Sequence, residues 1–320
     1  MNFEYLKMSL LRFTYAVEEN ILMPVYKGSV LRGGLGAALR KVSCVLKNAE
    51  CDTCMLKANC AYSKIFETPI PEDSKYLKNQ EFAPHPFVLE PPLEEKTRYI
   101  PGDEIVFQLL LIGYSVDFVP YFILAFELLA EWGIGKRING YRGRCFLKKV
   151  ESVDYQDNYH VIYTGNTKEL SDNNILSADK FSEIKLAEKS KEVNLEFITP
   201  TRVKSSDKLQ NTIDFEMLIR ALIRRILILS YFHCNHEPEF DYNYLITQAQ
   251  QKIKKVDEAL FWRDWSRPSS RQNMRMMLGG FKGKVTFSGF LQDFIPLLLI
   301  GEYIHVGKGT AFGLGKYVIS

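Results

Sequence analysis

Two stretches of this 320-residue chain run through one order of elements, and that duplication limits the fold more than any single motif does. The first opens on strand-like YLKMSLLRFTY (residues 5–15) and helix-like SVLRGGLGAALRKVSCVL (29–46), then passes extended segments near 82–90 and 98–113. It closes with apolar YFILAFELLAEW (121–132), which leads into GIGKRINGYRGRCFLKKV (133–150), glycine-rich and basic before turning strand-like. The second opens on VNLEFITPTRVK (193–204) and FEMLIRALIRRILILSYF (215–232), where Glu216, Arg220 and Arg224 draw a polar stripe at helical spacing. A further helix over 244–260, extended segments at 261–267 and 272–289, apolar FLQDFIPLLLIGEYI (290–304) and a glycine-rich basic ending complete it. A β-α-β-β-α-β order stated twice predicts an α+β protein of tandem ferredoxin-like (RRM-like) domains, each an antiparallel sheet with two helices on one face. The polar stretch 154–192 separates the copies, with YHVIYTG as a candidate extra strand, so the expected domains are 1–190 and 191–320.

Four of the six cysteines, Cys44, Cys51, Cys54 and Cys60, crowd into CVLKNAECDTCMLKANC with the spacing C-x6-C-x2-C-x5-C. Four thiolates so close in sequence suit one tetrahedral ion, with structural zinc the expectation and an iron–sulfur cluster the alternative. Four unrelated buried thiols are the plain reading. Nothing implies a vacant coordination position, so the site reads as a staple for a long loop inserted in the first domain.

The ending HVGKGTAFGLGKY carries Gly307, Gly309, Gly313 and Gly315 with Lys308 and Lys316. It is not a P-loop, because Thr310 stands where the first glycine is needed and Tyr317 follows Lys316. G-x-G-x-x-G fails too, since Phe312 and Val318 occupy the third glycine's place. What remains is close backbone approach and a run of N–H groups able to face anionic oxygens, or else a tight turn into the last strand. RDWSRPSSRQNMRMMLGGFKGK (263–284) favours the anion: Arg263, Arg267, Arg271, Arg275, Lys282 and Lys284 face only Asp264. With Trp262, Trp265 and Phe281 interleaved, such a run suits single-stranded or hairpin RNA. The whole chain carries only +3, so a polyanion must be held by clustered charge rather than by the general surface.

MMLGGFKGKVTFSGFLQDFIPLLLIGEYIHVGKGTAFGLGKY, with ITPTRVK and WSRPSSRQ, resembles the C-terminal half of the CRISPR-associated endoribonucleases that cut precursor CRISPR RNA within its repeats. These belong to the repeat-associated mysterious protein superfamily. VLRGGLGAALRKVSC with CDTCMLKANCAYSKIFETP is similar to a four-cysteine branch of that family. The resemblance implies a protein that grips repeat RNA across both domains and cuts it without metal. The 2′-hydroxyl attacks in line, leaving a 2′,3′-cyclic phosphate and a 5′-hydroxyl. Many members place a histidine in or near the first helix, whereas residues 22–46 contain none and the first histidine is His85. Substitutes are His305 beside the glycine loop, and Tyr26, Lys27 and Arg32 at the helix start. His305 reads either as a catalytic group or as a strand-end residue that orders the loop. Candidate RNA contacts are Arg202, Arg263, Arg267, Arg271, Arg275, Lys308, Lys316 and the four terminal glycines.

Three functions compete: a metal-independent nuclease for CRISPR repeats, a non-catalytic subunit holding repeat or guide RNA in an interference complex, and a nucleic-acid enzyme with a redox cofactor on the cysteines. The expected partners are CRISPR repeat RNA, subunits of an interference complex and a second copy of the chain. Apolar runs such as 105–113 and 294–300 are shorter than the ~18 residues a bilayer span needs, and MNFEYLKM lacks the order of a signal peptide, so a cytoplasmic protein without a membrane partner is expected.

Overall fold

The computed structural model describes all residues except 48–49, 179–190, 206 and 270–273, and of residues 266–269 and 274–277 the backbone alone. The chain divides into an N-terminal unit, Lys7–Leu176 with Phe232–Cys234, and a C-terminal unit, Ser177–Tyr231 and Asn235–Ser320 with Met1–Leu6. The stretch in which the sequence sets its boundary lies mostly outside the described residues.

The N-terminal unit contains β1 (Lys7–Val17), β2 (Ile21–Leu22), α1 (Gly28–Ser43), α2 (Ala61–Phe66), β3 (Phe87–Glu90), β4 (Arg98–Tyr99) and β5 (Glu104–Ile112). There follow α3 (Val119–Trp132), β6 (Ile134–Ile138), β7 (Tyr141–Gly143), β8 (Cys145–Val153) and β9 (Tyr159–Thr164), with β10 (Leu176–Ser177) at the division. Its main sheet runs β3-β5-β1-β8-β9. Taken as strands one to four, β1, β3, β5 and β8 therefore stand in the ferredoxin-like order 2-3-1-4, and the YHVIYTG strand is added at the edge as β9. Period-two alternation turns Leu11, Phe13, Tyr15 and Val17 of β1 and Ile105, Phe107, Leu109 and Leu111 of β5 inward, where all are buried. Phe13 stacks on Phe107 at 5.2 Å, and Phe126 of α3 meets Phe13 at 4.6 Å and Phe107 at 4.9 Å. The segment Gly113–Trp132 is long and apolar enough to cross a membrane by length and composition, yet Phe122, Phe126 and Leu129 bury one of its faces in this core. A second sheet, β4-β2-β6-β7, lies in the same unit.

The C-terminal unit repeats the plan with β11 (Glu192–Thr201), β12 (Lys204–Ser205), β13 (Lys208–Leu209), α4 (Phe215–His233, its end in the N-terminal unit), α5 (Tyr242–Lys252) and β14 (Ile253–Arg263). β15 (Ser266–Ser269), β16 (Met274–Met277), β17 (Gly280–Gly289), α6 (Ile295–Ile304) and β18 (Tyr317–Ile319) complete it. The sheet order β14-β17-β11-β18 is 2-3-1-4 again. Phe197 of β11 meets Phe281 edge-on at 5.0 Å, and Phe215 of α4 packs on Phe287 and Phe294.

Two expectations fail here. The helix expected over 244–260 ends at Lys252, and 253–260 is strand: β14 pairs along β17 from Ile253↔Gly289 to Arg263↔Gly280. Pairing to a sheet edge outweighs the helix propensity of KKVDEAL, a contact no local pattern reveals. Phe281, read as an aromatic for RNA bases, is fully buried in the sheet core.

Candidate nucleic-acid interface

α6 stops where His305 turns to φ 61°, its amide still donating to Gly301 O. The chain then folds back on itself and on β11. Val306 N donates to Gly315 O, Lys308 N to Arg202 O and Gly315 N to Pro200 O, while Phe312 and Gly313 donate within the turn. Lys316 N is held by Thr199 Oγ1 at 2.9 Å. A Cβ on Gly315 would overlap the Val306 carbonyl oxygen, and one on Gly307 would come 2.6 Å from that of Arg202. The glycines thus serve close packing first. This corrects the expectation of an open amide cradle at Gly307, Gly309, Gly313 and Gly315: several of the loop's N–H groups are spent inside the protein, and Gly313 and Gly315 are buried.

Charge, not the amides, is what the loop presents. Lys308 is exposed, and its amine is pushed below the ordinary lysine value first by partial desolvation, then by Lys204, Arg202 and Arg224, with Asp207 acting against them. Arg202 is half-buried, donates from Nη1 to Gly279 O at 3.0 Å and is itself lowered by burial. Lys204 reaches Asp207 at 3.9 Å, but that carboxylate is fully exposed and a weak counter-ion. Arg224, which the sequence reads only as part of a helical stripe, is exposed and joins this cluster from α4. Cations gathered around one backbone turn repel one another and favour an anionic oxygen between them.

His305 lies differently from the catalytic reading. Its ring is fully buried and Nδ1 sits 3.1 Å from Leu314 O, so it orders the loop from inside. Arg263 is exposed on edge strand β14 next to exposed Trp262, whose indole donates to Asp264. Arg267 and Arg275 belong to the β15–β16 hairpin, their side chains outside the described set, and Arg271 lies outside the described residues.

At the start of α1 the expected groups separate. Lys27 is buried, its Nζ donating to Glu94 O at 2.6 Å and Val25 O at 3.2 Å, and burial pushes its amine down. Its charge is used on carbonyls rather than offered to solvent, which speaks against its reading as a catalytic substitute at the helix start. Burial and the nearby Glu90 raise the Tyr26 phenol far above its usual range, which makes it a poor proton donor. Arg32 lies elsewhere: the guanidinium is 4.8 Å over the Phe66 ring, and Nη2 is 2.7 Å from His85 Nε2. Donation from Arg32 leaves Nε2 as the acceptor and puts the ring proton on Nδ1.

The first helix therefore has a histidine, brought to it from 53 residues away. His85 stands between Pro84 and Pro86, and both proline carbonyls are held: His233 Nε2 donates to Pro84 O at 2.6 Å, and Ile112 N and Ser115 Oγ donate to Pro86 O at 2.9 and 2.8 Å. The ring stacks on Phe87 at 5.2 Å and stays half-exposed. The signal available in the sequence was the proline-bracketed histidine before a strand; its partner on α1 was not.

Cys44, Cys51, Cys54 and Cys60 are all half-buried. Burial raises the Cys51 thiol; Arg40 opposes this, and Glu67, Cys60 and Cys44 add to it, so at least three of the thiols share one neighbourhood. Among the described residues no group of three or more His, Cys, Asp or Glu side chains converges as a ligand set.

Comparison with known proteins accords with this geometry. Residues 6–175 match the family AF_1859_N, described as an N-terminal domain, and residues 195–317 match the CRISPR-associated endoribonuclease Cas6. An uncharacterized protein of Archaeoglobus fulgidus is 24% identical over 301 residues, covering 93% of this chain and 92% of that one. Among solved structures, a Cas6 product complex has a TM-score of 0.57 at 14% identity, covering 98% of this chain and 99% of the other. Thermus thermophilus Cas6 has a TM-score of 0.55 at 15% identity over the same shares. A chain of a partial Cas6-RT-Cas1–Cas2 complex, at 0.57 and 14%, is matched over 47% of its length by all of this one. At such identities the structures attest the tandem fold, and the two family matches carry the assignment: the chain belongs to the AF_1859_N family by its N-terminal half and joins to it a C-terminal domain of the CRISPR-associated Cas6 endoribonuclease family.

Proposed function

We propose that this protein cuts precursor CRISPR RNA within its repeats, without a catalytic metal, leaving 2′,3′-cyclic phosphate and 5′-hydroxyl ends. The observation that carries the reading is the crowding of Lys204, Arg202 and Arg224 around Lys308, a site whose charge is unfavourable until a phosphate enters it. The relatives seen in a product complex and in a Cas6-RT-Cas1–Cas2 assembly support RNA and other CRISPR subunits as partners.

Arg32 and His85 are the groups we assign to the chemistry. The 2′-oxygen bonds to phosphorus as the bond to the 5′-oxygen breaks; the hydroxyl proton passes to His85 and the departing oxygen takes a proton from solvent water. As a scissile phosphate draws Arg32 onto itself, His85 Nε2 is released to take the hydroxyl proton, while the guanidinium offsets the phosphorane charge. The clamps on Pro84 and Pro86 support this assignment, because they hold the ring without sealing it from solvent. Incubating the protein with its own repeat RNA in EDTA tests the reading. Cyclic phosphate products are expected, and His85→Ala should slow the single-turnover rate by about 10²–10⁴-fold with RNA affinity retained. Tight binding without products favours the second reading, a subunit that holds guide RNA, which the lack of a histidine within α1 itself supports.

We also propose that the four cysteines hold zinc as a staple rather than as a reactant. Soft thiolates in one neighbourhood suit that ion, and Cys60 immediately precedes α2, which carries Phe66 beneath Arg32. One zinc per chain is expected by elemental analysis, lost in Cys51→Ser/Cys54→Ser; a zinc-free, fully folded protein contradicts it.

A further inference from the structure

The glycine-rich basic segment of the N-terminal repeat occupies the same place in its domain as the terminal loop, directly after the second helix, but it has a different shape. β6 and β7 form a hairpin closed by Asn139 and Gly140, both at positive φ, as a two-residue turn of the primed kind requires. Residues 136–142 are all exposed, and Tyr141 is 81% exposed. Ile138 pairs with Tyr141 across the turn and the register shifts between Ile134 and Ile138, so Arg137 and Arg142 flank that pair on the exposed arm of the hairpin. Across the sheet, Arg98 of β4 pairs with Leu22, which pairs with Lys136, putting those two cations on one face.

No carboxylate forms an ion pair with Arg98, Lys136, Arg137 or Arg142 among the described residues. By contrast, Arg144 at the hairpin's base is held by Glu19 at 2.8 Å. Four cations without a carboxylate partner on one small sheet repel one another in the free protein, and a solvent-exposed tyrosine beside them gains nothing from the core. An anionic partner with flat, stackable groups recovers both.

We infer that the β6–β7 hairpin is a second RNA contact, with Arg137 and Arg142 on the ribose–phosphate backbone and Tyr141 stacked on an unpaired base. Charge complementarity selects the partner, and the exposed ring favours a nucleic acid over an acidic protein or a lipid headgroup. The inference rests on the proposed RNA-processing role but uses residues independent of the terminal loop, so the two can fail separately.

The test is the affinity and salt slope of the full-length protein for its repeat RNA. Arg137→Ala/Arg142→Ala should bind roughly tenfold more weakly, with a log–log salt slope shallower by about 1.5, while the double lysine variant keeps the slope. Tyr141→Ala should lose about fivefold on RNA with a single-stranded flank and Tyr141→Phe should recover it. The melting midpoint of the arginine variant should stay the same or rise, which separates lost contact from lost fold. Unchanged binding in that variant, with Lys308→Ala weakened, overturns the hairpin alone; unchanged binding in both overturns the RNA reading with it. Loss of binding to phosphatidylserine vesicles with RNA affinity intact also overturns the proposal.

Discussion

The two glycine-rich basic segments began from one plan and diverged in what their glycines do. After α3, the chain rises as a hairpin whose turn is open: a Cβ on Gly140 meets nothing within 4 Å. After α6, the chain lies down on β11, and a Cβ on Gly315 would run into the Val306 carbonyl. One segment exposes its cations on a free ribbon; the other uses its backbone to fix Lys308 among Lys204, Arg202 and Arg224. On the proposed RNA-processing role, the difference separates a grip that adapts to RNA from a seat that positions it.

The sharpest way to break this comparison is to add the same methyl group to each. Gly315→Ala combines a backbone clash with a φ of 77° and should cost about 3 kcal/mol or more, enough to unfold the C-terminal unit at modest denaturant concentrations. Equal melting curves for Gly315→Ala and Gly140→Ala would refute the assigned division of roles.

Next in size is the electrostatic effect. Arg202→Ala should weaken RNA binding by about tenfold or more, because this side chain contributes to the cluster and also braces Gly279. A loss no larger than that of an isolated surface arginine contradicts a built phosphate seat.

A smaller effect appears in pH. Lys308 is lowered from its usual 10.5, so the folded protein holds this proton less tightly than the unfolded chain does. Phosphate binding restores the proton's affinity, so RNA binding takes up a proton between the lowered value and 10.5, and affinity falls as pH rises through that window. Arg224→Ala removes one like charge and should move the fall to higher pH, measured with a 2′-deoxy analogue that alkali does not cleave. A curve that stays put or moves down argues that Arg224 does not act on Lys308. Smallest of all, Gly140→Ala keeps its space but not its preferred backbone and should cost about 1 kcal/mol.

What the sequence made legible was periodicity and order. Alternation in LLRFTYAV and its counterpart LEFITPT marks β1 and β11, and helical stripes mark α1, α3 and α4, so the doubled ferredoxin-like plan follows. The same reasoning misread residues 253–260 of β14 as helix because their β17 partners, Gly289 to Gly283, lie 23 to 36 residues away. Function was less legible for a related reason. His305 looks exposed beside so many glycines, yet those glycines are what let the loop fold down and bury it. His85 looks isolated between prolines, yet three distant donors fix its flanking carbonyls and Arg32 reaches its ring. Tertiary contacts, not residue types, decide which histidine faces solvent.

The central claim is that clustered charge about the terminal loop seats RNA phosphate, and the salt dependence of RNA binding tests it most directly. Lys204→Ala/Arg224→Ala/Lys308→Ala should flatten the log–log slope by about 2 to 3 and remove most of the affinity at physiological salt, with the fold intact. A slope and affinity equal to those of the unaltered protein would mean that the loop turns a corner and binds nothing.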